Sequence, residues 1–166
     1  MKRTPVTPDM LKYVPVDSPV GRIWVGASPR GVARIWLPGE RPCGVLENTE
    51  FAELARTQLT EYFALTRRTF TVPLAIPEGA FRADVWRGLA QIPYGKTVSY
   101  KDLAEVVGRA KAVRAVASAC ATNPVAILLP CHRVIYSTGE VGNYRGGAWM
   151  KKKLLLLEGA NIREEA

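Results

Sequence analysis

The chain has 166 residues, 48% of them hydrophobic, 23% charged and 8% aromatic, with 14 Gly and 12 Pro. This suits a globular protein of one domain or two small packed lobes, and it excludes a disordered chain, collagen and a coiled coil. Lys and Arg number 23 against 15 Asp and Glu, a net charge of +8; residues 109–153 alone hold eight basic side chains and one acid, Glu140, which suits either a polyanion, nucleic acid first, or a plain solvated basic face.

At the start, MKRTPVTPDM has two basic residues but no apolar block behind them, so it reads as no secretory signal. No run approaches the ~20 apolar residues of a bilayer span. A cytoplasmic protein is expected, nucleoid-associated in a prokaryote and nuclear in a eukaryote. Residues 11–37 read as a small β meander, LKYVPV, GRIWVGA and GVARIWL, broken by turn signals at Ser18-Pro19-Val20-Gly21 and Ser28-Pro29-Arg30-Gly31. After a Pro/Gly loop at 38–48, Phe51, Leu54, Ala55, Leu59, Tyr62 and Phe63 recur at helical spacing behind an Asn48 or Thr49 cap. A short strand is expected near Phe70 to Val72, then a linker in the two-proline segment 73–77. The expected domains are therefore residues 1–77 and 78–166.

Beyond the linker the texture turns helical. Phe81, Val85, Trp86 and Leu89 share a face that ends by Pro93. Ser99 and Asp102 form a capping box for a helix from Tyr100 to Val107, which Gly108 stops. A second helix is expected from about Lys111 to Thr122, with Val113, Val116, Ala117 and Cys120 inward and Lys111, Ala112, Arg114, Ala115 and Ser118 outward. Helix, short turn, helix is helix-turn-helix spacing. Small residues around one long Arg114 suit close, sequence-independent approach to a groove, or simply packing on a neighbouring helix.

Asn123-Pro124 ends that helix, and the apolar run Val125 to Leu129 reads as a buried strand up to Pro130. Cys131, His132 and Arg133 follow it, and extended neighbours point to opposite faces, so thiol and imidazole need a turn or a bridging water to communicate. His132 could then take the thiol proton, Arg133 would favour the thiolate, and Glu158, past the Lys151–Leu157 helix, could orient His132. Three cysteines, Cys43, Cys120 and Cys131, one histidine and no CxxC argue against a disulfide framework or a zinc site. No cofactor is called for.

The string Pro130-Cys131-His132-Arg133-Val134, with Asn123 eight residues before the cysteine, Tyr100 after IPYGKTVS, KAVRAVASAC, Gly142-Asn143-Tyr144-Arg145-Gly146-Gly147 and Glu158-Gly159, closely resembles the 6-O-alkylguanine-DNA alkyltransferases over residues 80–160. The resemblance implies an α/β (α+β) fold: an N-terminal ribonuclease H-like β-rich lobe and a C-terminal helical lobe with a winged helix-turn-helix. It implies DNA repair of 6-O-methylguanine, and of 4-O-methylthymine, by irreversible transfer of the alkyl group to Cys131 after minor-groove binding and base flipping. His132 is then the water-mediated base, Glu158 its anchor, and Tyr100 the phenol that supports the departing guanine. Arg114 fills the vacated stack; Ala112, Ala115, Ala117, Lys111 and Ser99 meet DNA; Asn123, Val134, Ser137, Gly142, Tyr144, Arg145 and Gly146 wall the base pocket. The implied partner is double-stranded DNA met without sequence preference by a monomer, with cooperative binding along DNA left open. Some relatives hold zinc in the first lobe; with no histidine there, none is expected.

Two other functions fit the residues. A cysteine hydrolase or acyltransferase would use Cys131, His132 and Glu158 over many turnovers. A winged-helix DNA-binding regulator would keep Cys131 as a structural thiol.

Overall fold

The computed structural model describes residues 10–162; the non-secretory reading of the first residues lies outside them. The chain divides into two compact units, one ending at Ile76 and the other opening at Pro77.

In the first unit, strands β1 (Lys12–Val16), β2 (Ile23–Ser28), β3 (Gly31–Trp36) and β4 (Val45–Leu46) form a sheet in the order β3-β2-β1-β4. The first three make the expected antiparallel meander, while β4 joins β1 in parallel. Its inward side chains, among them Val14, Val16, Ile23, Val25 and Ile35, are buried, each contributing roughly 1.5–3 kcal/mol. Helix α1 (Glu50–Phe63) packs on the sheet and is opened by the Thr49 side chain, which accepts from the Ala52 N–H.

Two expectations fail in this unit. Residues 45–46, read as loop, add the β4 edge, because Val45 N–H donates to Leu11 O at 3.0 Å. No strand forms at 70–72: the buried Gln58 side chain accepts from the Thr71 and Val72 N–H groups at 2.9 and 3.2 Å, so a side chain takes the place of a strand partner. The 73–75 segment is tied down too, since Val32 N–H donates to Pro73 O and Ala75 N–H to Val32 O, both at 2.8 Å.

The second unit contains α2 (Phe81–Leu89), α3 (Tyr100–Val106) and α4 (Val113–Ala121), which pack pairwise. The Trp86 indole donates to Ala119 O at 2.9 Å, locking α2 to α4. The Ser99–Asp102 capping box forms, and Gly108 ends the turn after α3 at φ +74°, a conformation that glycine adopts without strain. On α4 the buried residues are Val116, Ala119 and Cys120; Ala117 and Val113 are only half-buried. Short strands β5 (Val98–Ser99) and β6 (Val134–Ile135) pair in parallel, and α5 (Ala148–Leu157) packs on the one-turn 3-10 helix Cys131–Arg133.

Candidate active site

The apolar run 125–129 is not a strand. It is a buried turn, with Leu129 N–H donating to Val125 O at 2.9 Å and Ile127 held at φ +75°. Asn123 decides this: its Nδ2 donates to Leu129 O at 2.8 Å and its Oδ1 accepts from Val125 N–H at 3.0 Å. A buried amide bonded at both ends of a six-residue segment closes it into a loop, and an extended strand would orphan both groups. Cys131 thus emerges from a pinned turn, at the first position of the 3-10 helix.

That helical turn changes the relation between neighbours. Cys131, His132 and Arg133 are all buried, and the last two converge on Glu158. His132 Nε2 lies 2.7 Å from Glu158 Oε2, while Arg133 donates through Nε to Oε1 at 2.8 Å and through Nη2 to Oε2 at 2.9 Å. Gly95 N–H adds a bond to Oε1 at 3.2 Å. Glu158 is the C-cap of α5, where the helix dipole opposes a negative charge; the paired guanidinium offsets that cost. Because a carboxylate only accepts, the neutral imidazole carries its proton on Nε2. Nδ1 is therefore a bare acceptor, buried with no hydrogen-bond partner among the described residues. Burial holds the His132 pKa below its ordinary value despite Glu158.

Arg133 is consequently not the cation that serves the thiol, contrary to the sequence reading. The charged side chains that favour the Cys131 thiolate are Lys151 and Arg145. Lys151 is the residue that sequence reasoning missed. It is 1% exposed, donates to Tyr100 Oη at 3.3 Å and to Asn143 O at 3.2 Å, and sits 5.5 Å from the Tyr100 ring centroid. Burial pushes its pKa down to about 8. The clue was its place on the stripe of Met150, Leu154 and Leu155, which points into the core.

A cavity of about 260 Å³ is lined by Cys120, Ala121, Asn123, Ala126, Cys131, Asn143, Tyr144 and Arg145. Of the residues expected to wall a base pocket, Asn123, Tyr144 and Arg145 are there. Val134 is buried in β6, Ser137 is exposed in the following turn, Gly142 lies under the Tyr136 ring and Gly146 is half-buried; none of these four lines the cavity. Burial pushes the Cys131 thiol up, against the opposing pull of an Asn123 hydrogen bond, Lys151 and Arg145. The net direction favours the protonated thiol.

On the outer face, Lys111, Arg114 and Ala115 are exposed, Ala112 and Ala117 half-buried, and Ser99 caps α3. Cys43 is exposed in the first unit, and Cys120 is buried with its pKa pushed up to about 12 by desolvation first.

Two family profiles match the chain: "6-O-methylguanine DNA methyltransferase, ribonuclease-like domain" over residues 11–76 and "6-O-methylguanine DNA methyltransferase, DNA binding domain" over residues 80–160. A methylated-DNA–protein-cysteine methyltransferase of Methanosarcina barkeri is 40% identical over 159 residues, covering 92% of this chain and 100% of that protein. The inducible enzyme of that name from Bacillus subtilis is 39% identical over 141 residues, covering 83% of this chain and 79% of its own. The crystal structure of Mycobacterium tuberculosis OGT in complex with DNA superposes with a TM-score of 0.83 at 34% identity, covering 89% of this chain and 92% of that one. The matched profiles and the superposed fold place the molecule in a class of DNA-binding alkyl-transfer proteins, and its own second unit carries a buried cysteine next to a histidine–glutamate pair. The chain belongs to the methylated-DNA–protein-cysteine methyltransferase family. No helix among the described residues is long and apolar enough to cross a membrane.

Proposed function

We propose that this protein repairs double-stranded DNA by moving the alkyl group of 6-O-methylguanine, and of 4-O-methylthymine, to Cys131, once per chain and irreversibly. One chain meets one lesion, without sequence preference, in the compartment where DNA lies and thiols stay reduced. The observation that carries this reading is the donation of His132 Nε2 to Glu158, which leaves Nδ1 a buried acceptor without a partner on the residue next to Cys131.

The target atom lies inside a stacked duplex, so the nucleotide must swing out into the cavity. Arg114 is the exposed long side chain on α4 suited to fill the gap, with Ala112, Ala115, Ala117, Lys111 and Ser99 against the groove. The methyl carbon is unactivated sp3 carbon, so displacement needs a soft anionic nucleophile aligned with the departing oxygen. His132 Nδ1 takes the Cys131 proton through one water, and Glu158 stabilises the imidazolium. The sulfur–carbon bond forms as the carbon–oxygen bond breaks, and the electron pair passes to the guanine. Tyr100, its hydroxyl held by Lys151, supplies the hydrogen bond that receives this charge. Asn123 fixes the turn that presents the sulfur. The product is a thioether with no good leaving group, so a second turnover has no route.

Duplex DNA carrying labelled 6-O-methylguanine tests this. The label should move to the peptide containing Cys131, one per chain, and the intact protein should gain one methylene in mass. Label that stays on DNA, lands on Cys43 or Cys120, or leaves in solution over repeated turnovers would sink the proposal.

A further inference from the structure

Chain connectivity carries β6 from the acceptor turn directly into Tyr136. The parallel register Val98↔Val134 and Ser99↔Ile135, continued by one residue, sets Tyr136 beside Tyr100. Their ring centroids are 5.6 Å apart at an interplanar angle of 47°, within the range of favourable aromatic pairs. A closed turn fixes the second ring from behind: Tyr136 N–H donates to Glu140 O and Gly139 N–H to Tyr136 O, both at 2.9 Å.

The same ring also meets the glycine-rich segment. Gly142 has φ +79°, and a Cβ there would stand 2.9 Å from the Tyr136 ring, so the backbone passes too close to the ring for any side chain. Residues 143–145, immediately beyond, line the cavity. Tyr136 is 43% exposed. Tyr100 is thus contacted by Lys151 and by Tyr136, and Tyr136 touches in addition the segment that shapes the cavity rim.

We propose that Tyr136 is a positioning residue for alkyl transfer, whose ring holds the Tyr100 phenol in place beside Lys151 and seats the 142–147 segment at the cavity. This rests on the reading that Tyr100 receives charge from the leaving guanine. Tyr136 acts through its ring face; its hydroxyl is dispensable. Its action falls on the chemical step, because a misaimed phenol costs rate without costing DNA affinity.

Single-turnover transfer from 6-O-methylguanine duplex, measured over a range of DNA concentrations, separates the two quantities. Tyr136→Ala should lower the saturating rate by about 10-fold or more while leaving the half-saturating DNA concentration within about 2-fold. Tyr136→Phe should restore the wild-type rate. In a Tyr100→Phe background, which has no hydroxyl left to aim, Tyr136→Ala should cost little further rate. If the alanine variant does not fold, Tyr136→Leu keeps the bulk without the ring and should show the same loss. A wild-type rate in the Ala or Leu variant, a Phe variant as slow as Ala, a change confined to half-saturation, or additive losses with Tyr100→Phe would each overturn the proposal. If wild-type protein moves no methyl to Cys131, the reading of the reaction itself has failed; if it does and the Tyr136 variants match it, only the positioning role has.

Discussion

A thiol proposed to accept one alkyl group must not react before its substrate arrives, and burial gives Cys131 that protection. The group is 7% exposed with its pKa raised by desolvation, so little thiolate is present at neutral pH. Iodoacetamide under native conditions should therefore label the exposed Cys43 first, with Cys131 and Cys120 modified slowly; peptide mapping with time reads the order. Removing the nearby charge by Lys151→Met should slow methyl transfer about 10–100-fold and shift its pH–rate profile to higher pH, since the thiolate loses a favourable neighbour. The imidazole gives a stability signal of defined sign. His132 has its folded pKa depressed below 6.5, so in acid the unfolded chain takes up a proton that the folded chain refuses. The stabilisation is complete above pH 6.5 and is lost as pH falls below it. Guanidinium denaturation at pH 7.5 and pH 5 should show a larger loss for the wild type than for His132→Gln, and equal losses would refute the assignment. The grouping of Cys131, His132 and Glu158 was legible as residue types because thiol, imidazole and carboxylate have few reasons to occur together. Their partners were less so: nothing in sequence order shows that Arg133 turns to Glu158, or that one lysine among three consecutive lysines is the buried one.

Among the elements, those with a period or a cap were readable. The meander, α1 with its Thr49 cap and α3 with its capping box form from local signals that no tertiary contact contradicts. The short apolar run 125–129 was not, since such a run looks alike as strand or turn, and the choice lies with Asn123 reaching across six residues. The 70–72 segment was lost for a similar reason, as Gln58 lies 13 residues from Thr71. Asn123→Ala should leave Val125 N–H without its acceptor and Leu129 O with only the Cys131 N–H as donor, destabilise the protein by about 1–3 kcal/mol and slow transfer, measurable by denaturation and by single-turnover assay. In the first unit, Gly26 faces Trp36, and a Cβ there would come within 2.6 Å of the ring. Gly26→Ala should cost about 1–3 kcal/mol by denaturation with no change in which cysteine accepts the alkyl group.

For the molecule as a whole, composition pointed to a globular chain, while charge alone suited a polyanionic partner or a plain solvated basic face equally. An excess of +8 concentrated over 109–153 predicts affinity for duplex DNA that falls steeply with salt and varies little with sequence, checked by anisotropy titrations at several ionic strengths. Arg114→Ala should impair repair of duplex more than reaction with the free alkylated base, because only a duplex has a stack to refill; equal losses would refute that role. The chain also has one histidine in 166 residues, and it lies sealed inside the site. Every imidazole ring resonance of this chain in a nuclear magnetic resonance spectrum therefore originates on the residue next to Cys131. On the proposed reaction the molecule is its own reporter: the two ring C–H signals, without any added probe, should shift between unused and spent protein, and their relative intensities count the fraction of each.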